Sequence, residues 1–459
     1  MASDNSLARK LGDYVLALRY DDLPGEVVRN AKRMTLDTLG CAIAAFDGAP
    51  VAIARKLAGD IQARERSATV LGTHRKSSLD MATFVNVTMA RYLDLNDYKP
   101  KPGGHPSDNI LTCLTVSDCT HATGREFLLA VVLAYEIQGA FGEATRFKDR
   151  EWSWDYTNNV LISSALVASR LMGLSAEQAT QAVNIGVNAH VSMLQVRSGE
   201  ISLWKAGSSG EAAKCGVFSA MLAAEGMTGP AAIFEGEYGY FKQVMGVDTV
   251  KVEDFGRGGK YSISDTRIKL YPSNGSTQTG ICAAINCRKQ IGAIADIERI
   301  DILTNARTYR GSGQGPEKWA PKTHETADHS LPYTVAIALI DGTVTPSSYA
   351  QAKLQDPKVL QLMQKITVKE DAALTALFPA KSATQLNVRL KSGKVIVEKV
   401  EDPKGHPQNP VTDEEIELKF RELTQGILKA SQVDAIIDFV WTLEKGASVT
   451  PLFESCVVG

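Results

Sequence analysis

Between Met81 and Leu95 the apolar positions Ala82, Val85, Val87, Met89 and Leu93 recur among few charges, as in a helix buried on most of its faces. Ala-rich amphipathic runs of the same kind, parted by short Gly or Pro breaks, continue to about residue 264. They predict helices over Pro24–Phe46, Arg125–Arg146, Val160–Met172, Ala176–Ala189 and Gly210–Glu225. In the first of these, Val28, Ala31, Leu39, Ile43 and Phe46 supply a face at helical spacing. Ser175 with Gln178 three residues on reads as a capping box, and Gly226 as a C-terminal stop. Beyond residue 264 the period changes. Arg299–Leu303 alternates as a strand does, and Leu386–Leu390, a Lys391–Lys394 turn and Val395–Val397 read as a hairpin. Helices are expected between these strands at Thr277–Gln290, Leu331–Leu339 and Pro357–Lys365. From Thr412, where Glu415 completes another capping box, the pattern is helical again through Leu443. The expected fold is mainly α: a large all-α domain built from both chain ends, 1–264 and 403–459, and a smaller α+β domain over 265–402.

With 459 residues a sizeable core is assured. Charge excludes two partner classes. The 50 Lys and Arg nearly cancel the 52 Asp and Glu, so neither a basic stripe for nucleic acid nor a cationic face for membrane stands out. Met1–Pro24 carries four aspartates and no long apolar run, unlike a secretory or transit signal. The longest apolar run, Phe127–Tyr135, is too short for a bilayer, and a cytoplasmic protein is expected. The seven cysteines form no CxxC pair and no ligand spacing, so they read as core residues. Arg257–Lys260 and Gly311–Pro316 are Gly-rich but match no phosphate-loop frame.

Candidate chemistry is concentrated in the stretch YLDLNDYKPKPGGHPSDN, Tyr92 to Asn109. Asp94 and Asp97, three residues apart, fall on one face of a last helical turn, at the dipole end where acids are disfavoured. Pro100, Pro102, Gly103, Gly104 and Pro106 stiffen the loop that presents His105. Ser107 is placed to cap the next helix, with Asp108 in its first turn. A capped turn with solvated acids has the same pattern, and the rigid presentation is what favours a site. Three other segments are weaker. Arg197 and Lys205 stand in a glycine-spaced loop before an Ala-rich helix, a combination that suits a carboxylate and equally suits a surface loop. Lys269 precedes a run of hydroxyl and amide donors ending at Gln278, which fits an anion or an ordinary capping loop. Asp328-His329-Ser330-Leu331-Pro332-Tyr333 puts a histidine and a phenol close together at a helix start, with Tyr333 either an acid or hydrogen-bond donor or a buried tyrosine with a satisfied hydroxyl.

Taken in order, these segments resemble the MmgE/PrpD family over nearly the whole chain. The resemblance is carried by Ala90-Arg91-Tyr92-Leu93-Asp94-Leu95-Asn96-Asp97 with His105-Pro106-Ser107, and by Trp204-Lys205 ahead of Glu211-Ala212-Ala213-Lys214-Cys215-Gly216. Lys269-Leu270-Tyr271-Pro272 and the Asp328–Tyr333 segment with Asp341-Gly342 complete it. That family includes 2-methylcitrate dehydratases, cis-aconitate decarboxylases and an iminodisuccinate epimerase. The resemblance implies a helical domain from both chain ends, an α+β lid, a site in the cleft between them, a homodimer, and no metal or organic cofactor. Its catalytic positions fall on Asp94, His105, Lys205 and Tyr333, with Arg197, Lys269, Gln278 and Tyr156 as substrate contacts. Two departures stand out: Gln278 and Tyr156 occupy places where the family usually has histidine.

The chemistry so implied begins with a proton on a carbon next to a carboxylate of a small di- or tricarboxylate. Cations must stabilise the developing enolate charge and a positioned base must take the proton. Lys205 with Arg197 or Lys269 fits the first need. Either Asp94 or His105 fits the second; the expectation is that His105 exchanges the proton while Asp94 orients it or tunes its basicity, with Asp97 structural. Tyr333 is then expected to protonate the leaving hydroxyl, or the carbanion left by loss of carbon dioxide. Dehydration of the 2-methylcitrate kind leads, with decarboxylation, epimerisation and a non-catalytic carboxylate-binding protein as alternatives.

Overall fold

The computed structural model describes residues 5–99, 104–144, 154–246, 250–251 and 254–459. Apolar periodicity sets its helices: α1 (Leu7–Ala17), α2 (Gly25–Ala44), α3 (Ala49–Gly59), α4 (Leu79–Tyr92), α5 (Asp108–Thr120), α6 (Gly124–Ala144), α7 (Thr157–Leu171), α8 (Ala176–Ala189) and α9 (Trp204–Ala224). The fold is mainly α. Between α3 and α4 runs a short antiparallel hairpin, β1 (Ser67–Thr69) and β2 (Lys76–Ser78). The expected Phe127–Tyr135 run lies inside α6, whose full 21 residues are long and apolar enough to cross a membrane. Of its most apolar 18-residue window, 83% is buried inside the protein, which makes it a core helix with other helices as its solvent.

One hydrophobic core joins residues of α1 to α9 with Ile416, Phe420, Ile436, Val440, Leu443 and Phe453 from the end of the chain. The C-terminal helix Asp413–Thr424 packs on α2, and its start carries the Thr412–Glu415 capping box read from sequence. The Ser175–Gln178 box at the start of α8 is also present. A second, smaller core surrounds a four-stranded sheet of β3 (Ile297–Thr304), β4 (Ile366–Glu370), β5 (Thr384–Leu390) and β6 (Val395–Val400), in the order β4-β3-β5-β6. The β3–β4 pair is parallel and the other two are antiparallel. Ile300 pairs with both Ile366 and Val388, and Val388 with Ile396, so the inward-facing positions of all four strands form one apolar face. Helices α10 (Gln278–Arg288) and Leu331–Asp341 cover it.

Several elements differ from the sequence expectation, each for a physical reason. The helix expected from Gly210 begins at Trp204, so Lys205 stands in the first turn of α9 and not in a loop. Gly210 does not break that helix, because a Cβ there would lie 2.4 Å from Thr88 Oγ1 and 2.6 Å from the Phe84 carbonyl oxygen. Its glycine is what lets α4 and α9 touch. Strand β4 directly follows Pro357–Met363, where helical periodicity masked a five-residue strand. Ser107 does not cap α5: its backbone is itself helical and its hydroxyl bonds Asp97 instead. Pro100, Pro102 and Gly103 of the expected rigid loop lie outside the described residues, as do the last residues of the helix expected to reach Arg146.

Candidate functional site

Helix α4 ends at Tyr92, and Asp94 follows with φ +49°. This left-handed conformation costs Asp less than most side chains, and the Asp94 amide still reaches the Arg91 carbonyl at 3.3 Å. The chain therefore reverses over the helix end and aims the carboxylate back at α4. There it is fully buried. Arg91 Nη1 donates to Asp94 Oδ1 at 2.9 Å. Lys269 Nζ bonds both that oxygen and the Asp94 carbonyl, the latter at 2.7 Å, and Lys205 Nζ stands 3.4 Å from Oδ2. Lys269 is brought in by paired backbone bonds between Tyr98 and Arg267, 2.8 and 2.9 Å. Lys205 arrives through the α4–α9 contact.

Lys205 also bonds a second fully buried acid, Asp328 Oδ2, at 2.5 Å. The neighbouring His329 donates its Nδ1–H to Asp328 Oδ1, which leaves Nε2 as the free lone pair, 3.7 Å from Asp94 Oδ2. His105 is set the same way from the other side. Its Nδ1–H donates to the Asp97 carbonyl at 2.5 Å, and its Nε2 lies 3.8 Å from Asp94 Oδ1. Both tautomers follow from the acceptor each Nδ1 meets. Asp94 Oδ2 is buried without a hydrogen bond.

Burial and charge act against each other here. Burial alone would raise the Asp94 pKa, but Arg91, then Lys269, Lys205 and His329, hold it well below the usual carboxylate range. Asp328 is likewise lowered despite burial, chiefly by Lys205 and His329. Burial, with Arg91 and Lys269 next, keeps His105 well below an ordinary imidazole. The same burial, aided by Lys205, brings His329 down to about 4. Lys269 is drawn down to about 8 by burial, against the opposing pull of Asp94. Near neutral pH the two acids are thus ionised and the His105 and His329 rings neutral, each with one free ring nitrogen, while a third imidazole, His324, lowered chiefly by burial, stands 3.8 Å from Asp328 Oδ2.

The structure brings Asp94, His105, Lys205 and Lys269 together, and Tyr156 beside them. The Tyr156 hydroxyl donates to Asp108 Oδ2 at 2.8 Å and accepts from Arg91 Nε at 3.2 Å. Its ring meets His105 edge-on with centroids 5.4 Å apart. Gly104 makes room for that ring: with φ +61°, a Cβ there would fall 1.9 Å from it. Arg197 lies 4.7 Å over the Tyr156 ring and grips Asp155 through Nε and Nη2, 2.6 and 3.1 Å, leaving Nη1 buried and unbonded.

Two expected residues are placed elsewhere. Tyr333, in the Leu331–Asp341 helix, donates its hydroxyl to the Ser348 carbonyl at 2.6 Å, and the charges acting on it, after burial, are Asp341 and Asp356. Gln278 spends its amide on the carbonyls of Tyr271 and Ser273, 3.0 and 3.3 Å, and so braces the turn after Lys269. Asp94 and Asp97 do not share a face: Asp97 accepts from Ser107 and, at 2.6 Å, from the Tyr135 hydroxyl. Nor does Asp94 orient His105 through Nδ1, since Asp97's carbonyl does that.

Arg91, Asp328 and His329 were given no site role from sequence, although the Asp328–Tyr333 segment was singled out for its histidine and phenol. Arg91 had a signal, the i,i+3 pairing with Asp94 inside an otherwise apolar helix. Asp94, Asp328 and His329 place ligand atoms within 4.8 Å of one another, close enough for a metal ion. Lys205 Nζ already occupies the space between the two carboxylates, and Lys269 and Arg91 take the other Asp94 oxygen. Such a set repels a further cation and accepts an anion.

The MmgE/PrpD N-terminal domain model matches residues 9–253 and the MmgE/PrpD C-terminal domain model matches residues 271–445. A 2-methylcitrate dehydratase from Cupriavidus necator is 29% identical over 424 residues, 86% of this chain and 84% of that protein. The cis-aconitate decarboxylase of Homo sapiens is 25% identical over 454 residues, 96% of this chain and 92% of that protein. A cis-aconitate decarboxylase-like protein from Aspergillus oryzae is 24% identical over 475 residues, 98% and 97% of the two chains.

Proposed function

This chain belongs to the MmgE/PrpD family, and from that premise we propose that it is a lyase that removes water from a small hydroxy di- or tricarboxylate, in the manner of a 2-methylcitrate dehydratase. One observation carries the reading: a fully buried carboxylate ringed by Arg91, Lys205 and Lys269, with two unbonded imidazole nitrogens beside it. Substrate carboxylates dock on the cations. The same cations stabilise the charge that collects on a substrate carboxylate as the adjacent C–H bond breaks. His105 Nε2 takes that proton, its lone pair kept free by the Asp97 carbonyl on Nδ1. Asp94 is a poor base while the cations hold it ionised; its role is to gather them and to steady the imidazolium that forms. The smaller core serves as a lid over the larger, contributing Asp328 and His329. The reading extends to a cytoplasmic homodimer that needs no metal or organic cofactor, for which sedimentation at twice the 49.5 kDa chain mass is the first check.

The test is proton NMR of a panel of di- and tricarboxylates in deuterated water, which reports C–H exchange, dehydration and decarboxylation together. Native enzyme is expected to dehydrate at least one hydroxy acid, and His105→Gln to slow both exchange and dehydration by about 10²–10⁴-fold. Full exchange in the variant would remove His105 from the mechanism. Decarboxylation is the second reading, favoured by the human relative's coverage of 96% of this chain; carbon dioxide release without loss of water would select it.

A further inference from the structure

Removing hydroxide from carbon requires a proton for the departing oxygen, and the phenol expected to supply it is not in the cluster. Tyr333's hydroxyl is committed to the Ser348 carbonyl. Four residues earlier in the same segment stands His329, 5% exposed, its Nδ1 tied to Asp328 and its Nε2 without a hydrogen-bond partner 3.7 Å from Asp94 Oδ2. We propose that His329, oriented by Asp328, is the acid that protonates the leaving hydroxyl, an assignment that rests on the lyase reading above. His105 and His329 then divide the work by position, one beside each oxygen of the Asp94 carboxylate.

Their partners differ in kind. His105 Nδ1 donates to a neutral peptide carbonyl, whereas His329 Nδ1 donates to a carboxylate, which stabilises an imidazolium. Bound substrate carboxylates add further negative charge, so His329 is the ring that gains a proton when substrate enters. In the step, His105 Nε2 takes the proton from carbon and the C–H electron pair becomes the new carbon–carbon π bond. The C–O bond breaks with its pair on oxygen, which takes the proton from His329 Nε2 and leaves as water. His105 ends protonated and His329 neutral; exchange with solvent after product release resets both.

The test separates protonation from positioning by changing the leaving group. Fluoride needs far less acid assistance than hydroxide, so the substrate is compared with the analogue in which fluorine replaces its hydroxyl. The variant is His329→Asn, whose side-chain amide can still donate to Asp328 while nothing stands at Nε2. Dehydration is expected to fall by about 10²–10⁴-fold and fluoride elimination by less than about tenfold, while His105→Gln slows both. Equal slowing of the two substrates by His329→Asn would make His329 a structural residue, and no slowing of either would remove it from the reaction; both outcomes overturn the proposal. Native enzyme that eliminates neither water nor fluoride would sink the lyase reading itself, and the acid role with it. Asp328→Asn, which leaves Nε2 in place without the carboxylate behind it, is expected to reproduce the unequal slowing in milder form.

Discussion

Replacing Lys205 by Met removes one ammonium from between two carboxylates that are both fully buried, Asp94 and Asp328. Asp94 keeps Arg91 and Lys269, whereas among the described residues Asp328 keeps as ion-pair partners the imidazoles of His329 and His324, the latter at 3.8 Å. An isolated buried carboxylate is too costly to persist, so Asp328 takes up a proton. Protonating a carboxyl of ordinary pKa 3.8 at pH 7 costs about 4 kcal/mol, inside the range of about 3–5 kcal/mol for breaking a buried pair. The sign with pH follows. In the native protein the lowered pKa of Asp328 contributes stability above its unfolded value, and that contribution is lost as pH falls. The deficit of Lys205→Met is therefore largest near neutrality and closes by about 1.4 kcal/mol per pH unit toward pH 4. Chemical denaturation at pH 5, 6 and 7 measures it. Turnover at pH 7 is expected to fall by about 10²–10³-fold, as for loss of one donor that stabilises a developing oxyanion. A deficit that does not change with pH, or turnover within threefold of native on every accepted substrate, refutes the reasoning.

Tyr333→Phe should cost about 1 kcal/mol of stability through the lost bond to Ser348 and leave turnover within threefold; a hundredfold loss in steady-state assay would return the phenol to the chemistry. Asp97, raised to about 7 chiefly by burial, binds more protons folded than unfolded between pH 3.8 and 7. It therefore withdraws about 4 kcal/mol of stability as pH rises through that window, and Asp97→Asn should flatten the curve of denaturation midpoint against pH there relative to native; parallel curves would contradict the burial argument. Gly104→Ala pairs a positive φ with a Cβ 1.9 Å from the Tyr156 ring. A loss of about 1–3 kcal/mol is expected together with reduced turnover as His105 shifts, and an unchanged melting curve with full activity would show that the loop yields freely.

Much of the helical fold was legible because buried helices write their burial into the sequence. Ala176–Ala189 was read to the residue, with its capping box. β4 was not read because Ile366–Glu370 is too short for alternation to stand out against the helix before it, and its parallel pairing with β3 is set by residues 66 positions away, as in Ile300 with Ile366. The start of α9 was missed for a different reason. Gly207 and Gly210 look like breakers locally, and only the presence of α4 at Gly210 turns glycine into a packing requirement.

The same distinction runs through the candidate site. Asp94 and His105 share one peculiar loop, and local rules suffice to single them out. That Lys205, Lys269 and Asp328 are all fully buried is a property of the assembled molecule: an isolated lysine in sequence reads as solvated, and three charges are affordable inside only because each meets another from a distant segment. Direction is the hardest thing to read. His329 and Tyr333 are four residues apart in one segment, yet His329 stands before the first turn of the Leu331–Asp341 helix, where Asp328 turns it toward Asp94. Tyr333 stands inside that turn, where the helix carries it toward Ser348. Chemical type alone favoured the phenol as the acid. The backbone instead brings the imidazole beside Asp94, with Nδ1 held by Asp328 and Nε2 left free.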